Sequence, residues 1–469
     1  MRASWTLALV LLSAGPLSAQ PQRYELGRRL KAFEAEWEKV DDAEARKRAL
    51  TDLPKLTAQF FSLQLGEAAR TLDLATHYLK SENAPSATQQ FIWSLYAVPE
   101  TRIIDENAKE ISVVIQQLYS VKSDFPKQLE LQLWFTDKEV VKVKPEQLPL
   151  TVKVPVPPLN GSNGLDRKLY FLADGARELR PAAIGVSQIA KVQKRIDVIL
   201  QATEGKQSSI EQATARQRAT LISELLNHPS RAPETDLPFA ELLANAEQMI
   251  GEKPFFTPDR HGQFWMTVPL GTGRSIQCRV LIPKGLDPKK PAPVVFALHG
   301  AGVNENMFFE SYGAGRIVKE CTERGWVLVA PRSAGFGGTP PVVDLFTKLA
   351  ERYPLDAQHV FLVGHSMGAG QALSLAQATP DRFAGIAALG GGNRPSKPEA
   401  LAKLGVFVGI GLRDTIGLSG AQSLNKTLLA TGAKNLIYKE YPHIEHLVIV
   451  GLALPEVFKM FDGLVKQQR

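Results

Sequence analysis

The chain has 469 residues, of which 44% are hydrophobic and 22% charged. That is ordinary globular composition, with length for two or three domains. Its net charge of +7 comes from 55 Lys and Arg against 48 Asp and Glu. No basic block is interleaved with aromatics, so a nucleic-acid partner is not implied. Neither a CxxC pair nor a Cys/His cluster at zinc spacing is present, and no metal or organic cofactor is expected.

Residues 1–19 read as a secretory signal. Arg2 is a minimal positive start, residues 5–12 (WTLALVLL) form an apolar run, and a small-residue stretch with Gly15 and Pro16 leads to cleavage after Ala19. The run falls well short of the ~20 apolar residues that a spanning helix needs. A secreted or periplasmic product without an integral membrane segment is therefore expected.

Residues 20–125 read as helical. Leu26, Leu30, Phe33, Trp37 and Val40 recur at helical spacing, with charges around them. Asp41 and Glu44 suggest a capping box for the next helix, Leu53, Leu56, Phe60 and Leu63 continue the spacing, and a further helix is predicted over residues 106–119. The texture changes near Pro126. Leu129, Leu131 and Leu133 alternate with polar residues, and residues 126–185 are predicted to form a small β unit of about four strands. Helices return over residues 186–251, with breaks near Gly205 and at residues 229–233. These apolar stripes read as core, and no chemistry is assigned to residues 20–250.

From 252 to 469 the pattern is α/β. Two strands flank residues 271–273. Short apolar runs at 294–298, 327–330, 360–363, 386–389, 406–410 and 436–441 then alternate with helix-length stretches. Continuous apolar strands with intervening helices imply a mostly parallel sheet covered on both faces, whose sites form at the carboxyl ends of strands. Cys278 falls in a strand-like run and Cys321 in a helix-like one, which leaves open either a disulfide or two buried thiols.

The chemistry-bearing motifs lie in this last region. The run 360–363 leads straight into Gly364-His365-Ser366-Met367-Gly368, a G-x-S-x-G in the strand–turn–helix context that makes the pattern specific. The run 294–298 leads into His299-Gly300-Ala301-Gly302, where N–H groups of Ala301 or Gly302, with that of Met367, could bind an oxyanion. His299 itself reads as a residue that orients the turn. Asp414 follows the run 406–410 and is the candidate acid. Of the two later histidines, His443 and His446, the second stands directly before a helix and is preferred as the base.

On these residues the chain from about 264 to 466 resembles the α/β-hydrolases, in particular the dienelactone hydrolase and polyhydroxybutyrate depolymerase/feruloyl esterase branches. The resemblance implies Ser366 as nucleophile, His446 as general base and then acid, and Asp414 as the group that orients the imidazole. Together with the signal at residues 1–19, the leading expectation is an exported serine hydrolase that cleaves carboxylic esters through an acyl-enzyme. The rival readings are a serine peptidase of the same fold and a non-catalytic envelope-binding protein on this scaffold. The stretch between residues 389 and 406 leaves little room for a large lid, so an open site for small or extended acyl groups is expected.

Overall fold

The computed structural model describes residues 20–467 apart from 175–181, 206–207, 232, 252, 272 and 334–337; the expected signal, residues 1–19, lies outside the described residues. Helix α1 (Gln20–Trp37) buries Leu26, Leu30, Phe33 and Trp37, the stripe read from the sequence. Helix α2 (Ala43–Ala49) is capped by Asp42, one residue after the expected Asp41, through a 2.9 Å bond from the Glu44 N–H. Helices α3 (Lys55–Phe61), α4 (Leu65–Tyr78) and α5 (Ala87–Ser94) follow.

Eight strands come next: β1 (Leu95–Pro99), β2 (Ile103–Asp105), β3 (Glu110–Gln117), β4 (Glu130–Trp134), β5 (Val141–Val143), β6 (Leu150–Pro155), β7 (Gly164–Asp174) and β8 (Ala182–Ile189). They form a three-stranded sheet, β1-β3-β6, and a five-stranded sheet, β2-β8-β7-β4-β5. Ile111, Val113 and Ile115 of β3 share one core with Leu131 and Leu133 of β4 and Leu169 of β7, so the two sheets form a sandwich. This corrects two expectations. Residues 110–117 are a strand rather than part of a helix, because the β-branched Ile111, Val113 and Ile115 face inward at strand period, with Ser112 and Val114 on the other face. The β unit begins at Leu95 and has eight strands rather than about four.

Helices α6 (Val192–Ala202), α7 (Ile210–Asn227) and α8 (Phe239–Met249) are interrupted near Gly205 and by a short turn at Pro229–Arg231. The third sheet then assembles from β9 (Gly262–Pro269), β10 (Ser275–Ile282), β11 (Ala292–Leu298), β12 (Val327–Pro331), β13 (Leu355–His365), β14 (Gly385–Leu389), β15 (Gly405–Gly411) and β16 (Leu436–Tyr441). Its order is β9-β10-β12-β11-β13-β14-β15-β16. The strands from β11 onward pair in parallel, whereas β10 runs antiparallel to both neighbours.

Strand β11 shows why this sheet must be covered twice. Val294, Phe296 and Leu298 belong to a core shared with α6–α8 and the helices Met367–Ala378 and Leu418–Ala430. Val295 and Ala297 belong to the opposite core, shared with α1, α4 and the helices Arg316–Arg324 and Ile449–Gln467. The N-terminal helices are thus packed into the same body as the sheet. Cys278 and Cys321 are separate buried thiols. No helix among the described residues is long and apolar enough to cross a membrane.

Candidate active site

Strand β13 ends at His365, and the helix Met367–Ala378 starts one residue past Ser366. The reversal forces Ser366 to φ 55°, ψ −115°, a conformation that side chains rarely adopt. A Cβ on Gly364 would run into the Gly368 carbonyl, and one on Gly368 into the Leu298 carbonyl of β11. Only glycine at both positions lets strand, turn and helix approach this closely. The Ser366 N–H donates to the Leu389 carbonyl at 2.9 Å and ties the turn to β14. The helix start at Met367 aims its free N–H groups and dipole at the same place.

Asp414 lies just past β15 and is 1% exposed. One carboxylate oxygen accepts from the N–H groups of Ile416 (2.9 Å) and Gly417 (2.7 Å), and the other is 2.8 Å from His446 Nδ1. Burial by itself would raise this carboxyl, but the hydrogen bond and charge of His446 and the two N–H groups outweigh it and hold the group below the usual carboxylate range. His446, on the loop after β16, is buried, whereas His443 is exposed at a left-handed turn with φ 65°. The structure therefore brings His446 to the acid and leaves His443 at the surface.

Two further histidines are structural in their contacts. His365 is buried, with Nε2 2.8 Å from the His446 carbonyl and Nδ1 2.7 Å from the Tyr312 hydroxyl. A carbonyl can only accept, so Nε2 carries the proton and Nδ1 accepts from Tyr312. Burial and the neighbouring His446 push His365 down to about 3, so it stays neutral and acts as a strut under the His446 backbone. His299 accepts from the Ser333 N–H at 3.1 Å and faces its neighbour Gly300 O at 2.8 Å. It orients the turn, as its position suggested.

Of the three expected oxyanion donors, Ala301 lines the cavity in front of Ser366. Met367 is the first residue of the helix behind the serine. Gly302, at φ 76°, sits against α3: a Cβ there would lie 2.9 Å from the Phe60 ring. Its carbonyl accepts from the Arg23 guanidinium of α1 at 3.2 Å.

That last contact leads to what sequence reasoning missed. Ser366, His446 and Ala301 open into a cavity of about 590 Å³ whose other wall is Leu30 of α1 and Leu56, Phe60 and Phe61 of α3. The N-terminal helices thus wall one side of the site, and the stretch between β14 and β15 contributes nothing to the cavity lining. The stripe Leu56–Phe60 was visible in the sequence, but nothing local identifies what a stripe packs against.

A sequence model of the alpha/beta hydrolase fold matches residues 293–410. Solved structures similar to the chain include a thermostable esterase, at 15% identity over 80% of this chain and 99% of that one, with a TM-score of 0.40. A feruloyl esterase module from Clostridium thermocellum matches at 18% identity over 44% of this chain and 88% of its own, with a TM-score of 0.36. A ferulic acid esterase from Anaeromyces mucronatus matches at 18% over 44% and 92%, with a TM-score of 0.37. The strand order, parallel but for β10, which runs antiparallel to both its neighbours, the elbow at Ser366 and the family match together make the C-terminal part of this chain an α/β-hydrolase fold.

Proposed function

We propose that the chain is an exported serine hydrolase that cleaves carboxylic esters through an acyl-enzyme. The observation that carries the reading is the 2.8 Å contact of His446 Nδ1 with buried Asp414, on the same cavity wall as Ser366 in its strained turn. With Nδ1–H held on the carboxylate, Nε2 is left to take the Ser366 hydroxyl proton as the oxygen attacks the ester carbonyl. Asp414 keeps the ring in that tautomer and stabilises the imidazolium. The developing oxyanion is met by the N–H groups of Ala301 or Gly302 and of Met367, each donor worth about 3–4 kcal/mol in the transition state. The protonated His446 then releases the alcohol, and water activated by the same nitrogen clears the acyl group.

The test is labelling of the mature protein with a fluorescent fluorophosphonate, wild type beside Ser366→Ala. Labelling confined to the wild type, followed by turnover of esters in preference to peptides, is expected. A folded wild type that stays unlabelled overturns the reading and favours an envelope-binding protein on this scaffold.

A further inference from the structure

We infer that the N-terminal helices α1 and α3 are part of the active site and form a binding wall that selects esters carrying a bulky apolar group, aliphatic or aromatic, over acetates of small alcohols. The inference rests on the serine-hydrolase reading above and adds the class of substrate.

Two arginines tie these helices to the catalytic loops. Arg23 of α1 donates to the Gly302 carbonyl of the oxyanion turn while its other partner is Glu234 at 3.1 Å, and it lies over the Phe60 ring at 5.3 Å. Arg413, the residue before Asp414, donates to the Leu50 carbonyl at 3.1 Å and the Thr51 carbonyl at 3.4 Å, just ahead of α3. Oxyanion turn and acid loop are thus each braced by the N-terminal segment.

The chemistry of the wall follows from what is left unpaired. Leu30, Leu56, Phe60 and Phe61 face the floor across the cavity, joined by Met307 and Leu447. The cations along the rim are largely engaged: Arg23 with Glu234, Arg28 with Glu25 and Lys168 with Asp236, while Lys31 is on the exposed face. An apolar group loses water against this wall without stripping a charge. A cavity of about 590 Å³ is far larger than an acetyl group requires.

The test uses the full mature chain and two substrate series, p-nitrophenyl esters from acetate to decanoate and acetates of alcohols of rising length. They separate the acyl from the alcohol side of the ester. In one series kcat/KM should climb by roughly fourfold per methylene until the cavity is filled, which is about 0.8 kcal/mol per buried methylene at 1.4 kcal/mol per decade. Phe60→Ala should lower the long-to-short ratio by about tenfold, and the half-exposed Phe61→Ala, which spares the fold, by a few-fold. The ratio is the readout because loss of folded protein lowers both rates alike. A wild type that labels with fluorophosphonate yet is flat in both series, or whose slope both variants leave unchanged, overturns this inference and leaves the hydrolase reading standing. A wild type that neither labels nor turns over any ester overturns both.

Discussion

Glu34→Gln and Glu445→Gln should each gain stability over the wild type as the pH is raised from 5 to 8. Glu34 is 1% exposed, and neither of its carboxylate oxygens has a hydrogen-bond partner; the Gly313 N–H is close but falls short of one. Burial, then the charges of Glu445 and Glu38, push the Glu34 carboxyl well above the ordinary range. Glu445 is also 1% exposed, and burial pushes it up to about 7, against the Leu447 and Val448 N–H groups and the nearby His446, with Asp414 adding to the rise. A carboxyl with a raised folded pKa favours the folded state fully below its unfolded value, and it loses that advantage as the pH climbs to the folded value. For Glu445 the window runs from 4.5 to about 7. At about 1.4 kcal/mol per pKa unit the loss across it is on the order of 3 kcal/mol. Glu34 acts in the same direction from the same starting pH. Thermal melts at pH 5, 6, 7 and 8 read the effect, at roughly 2–4 °C per kcal/mol for a domain of ~150–250 residues. The glutamine variants keep the shape and remove the proton equilibrium, so their midpoints should converge with wild type at pH 5 and exceed it at pH 8. Midpoints that run parallel to wild type at every pH would refute the reasoning, because the carboxylates would then be compensated in the folded chain.

Two other substitutions separate chemistry from architecture. Asp414→Asn should lower kcat by about 10⁴-fold, since an amide in place of the carboxylate no longer enforces the Nδ1–H tautomer of His446; steady-state ester kinetics check this. Ser366→Gly should stabilise the fold by about 1–3 kcal/mol by relieving the conformation at φ 55°. Ser366→Ala keeps the Cβ and should give no such gain, and a melting comparison of the two variants decides the matter.

Much of the C-terminal domain was legible because its signals are local. A strand buried on both faces reads as an uninterrupted apolar run, and the runs at β11, β13 and β15 each end in the turn that holds a site residue. The elbow is legible for the same reason: Gly364 and Gly368 are demanded by atoms within a few residues or on the adjoining β11. The N-terminal β unit was only half legible. The segment 110–117 contains Val113 and Val114 side by side, which blurs the alternation, and its β-branched content was the signal that should have decided for a strand.

The N-terminal wall of the site was not legible, and the reason is physical. Periodicity shows that α1 has a buried face, but Phe33 and Trp37 would look the same against any core. That α1 and α4 share their core with Val295, Phe361 and Phe461 is a property of tertiary packing across hundreds of residues. The same distance explains Arg23, whose acceptor is a backbone carbonyl, a group every residue carries and no sequence pattern marks. The serine, the acid and the histidine are each announced by a neighbour in sequence, whereas the surface that faces them is assembled from helices whose amphipathic pattern is ordinary. On the proposed reading, the reaction class is written near the strand ends, and the choice of substrate in Leu30, Leu56, Phe60 and Phe61, at the far end of the sequence.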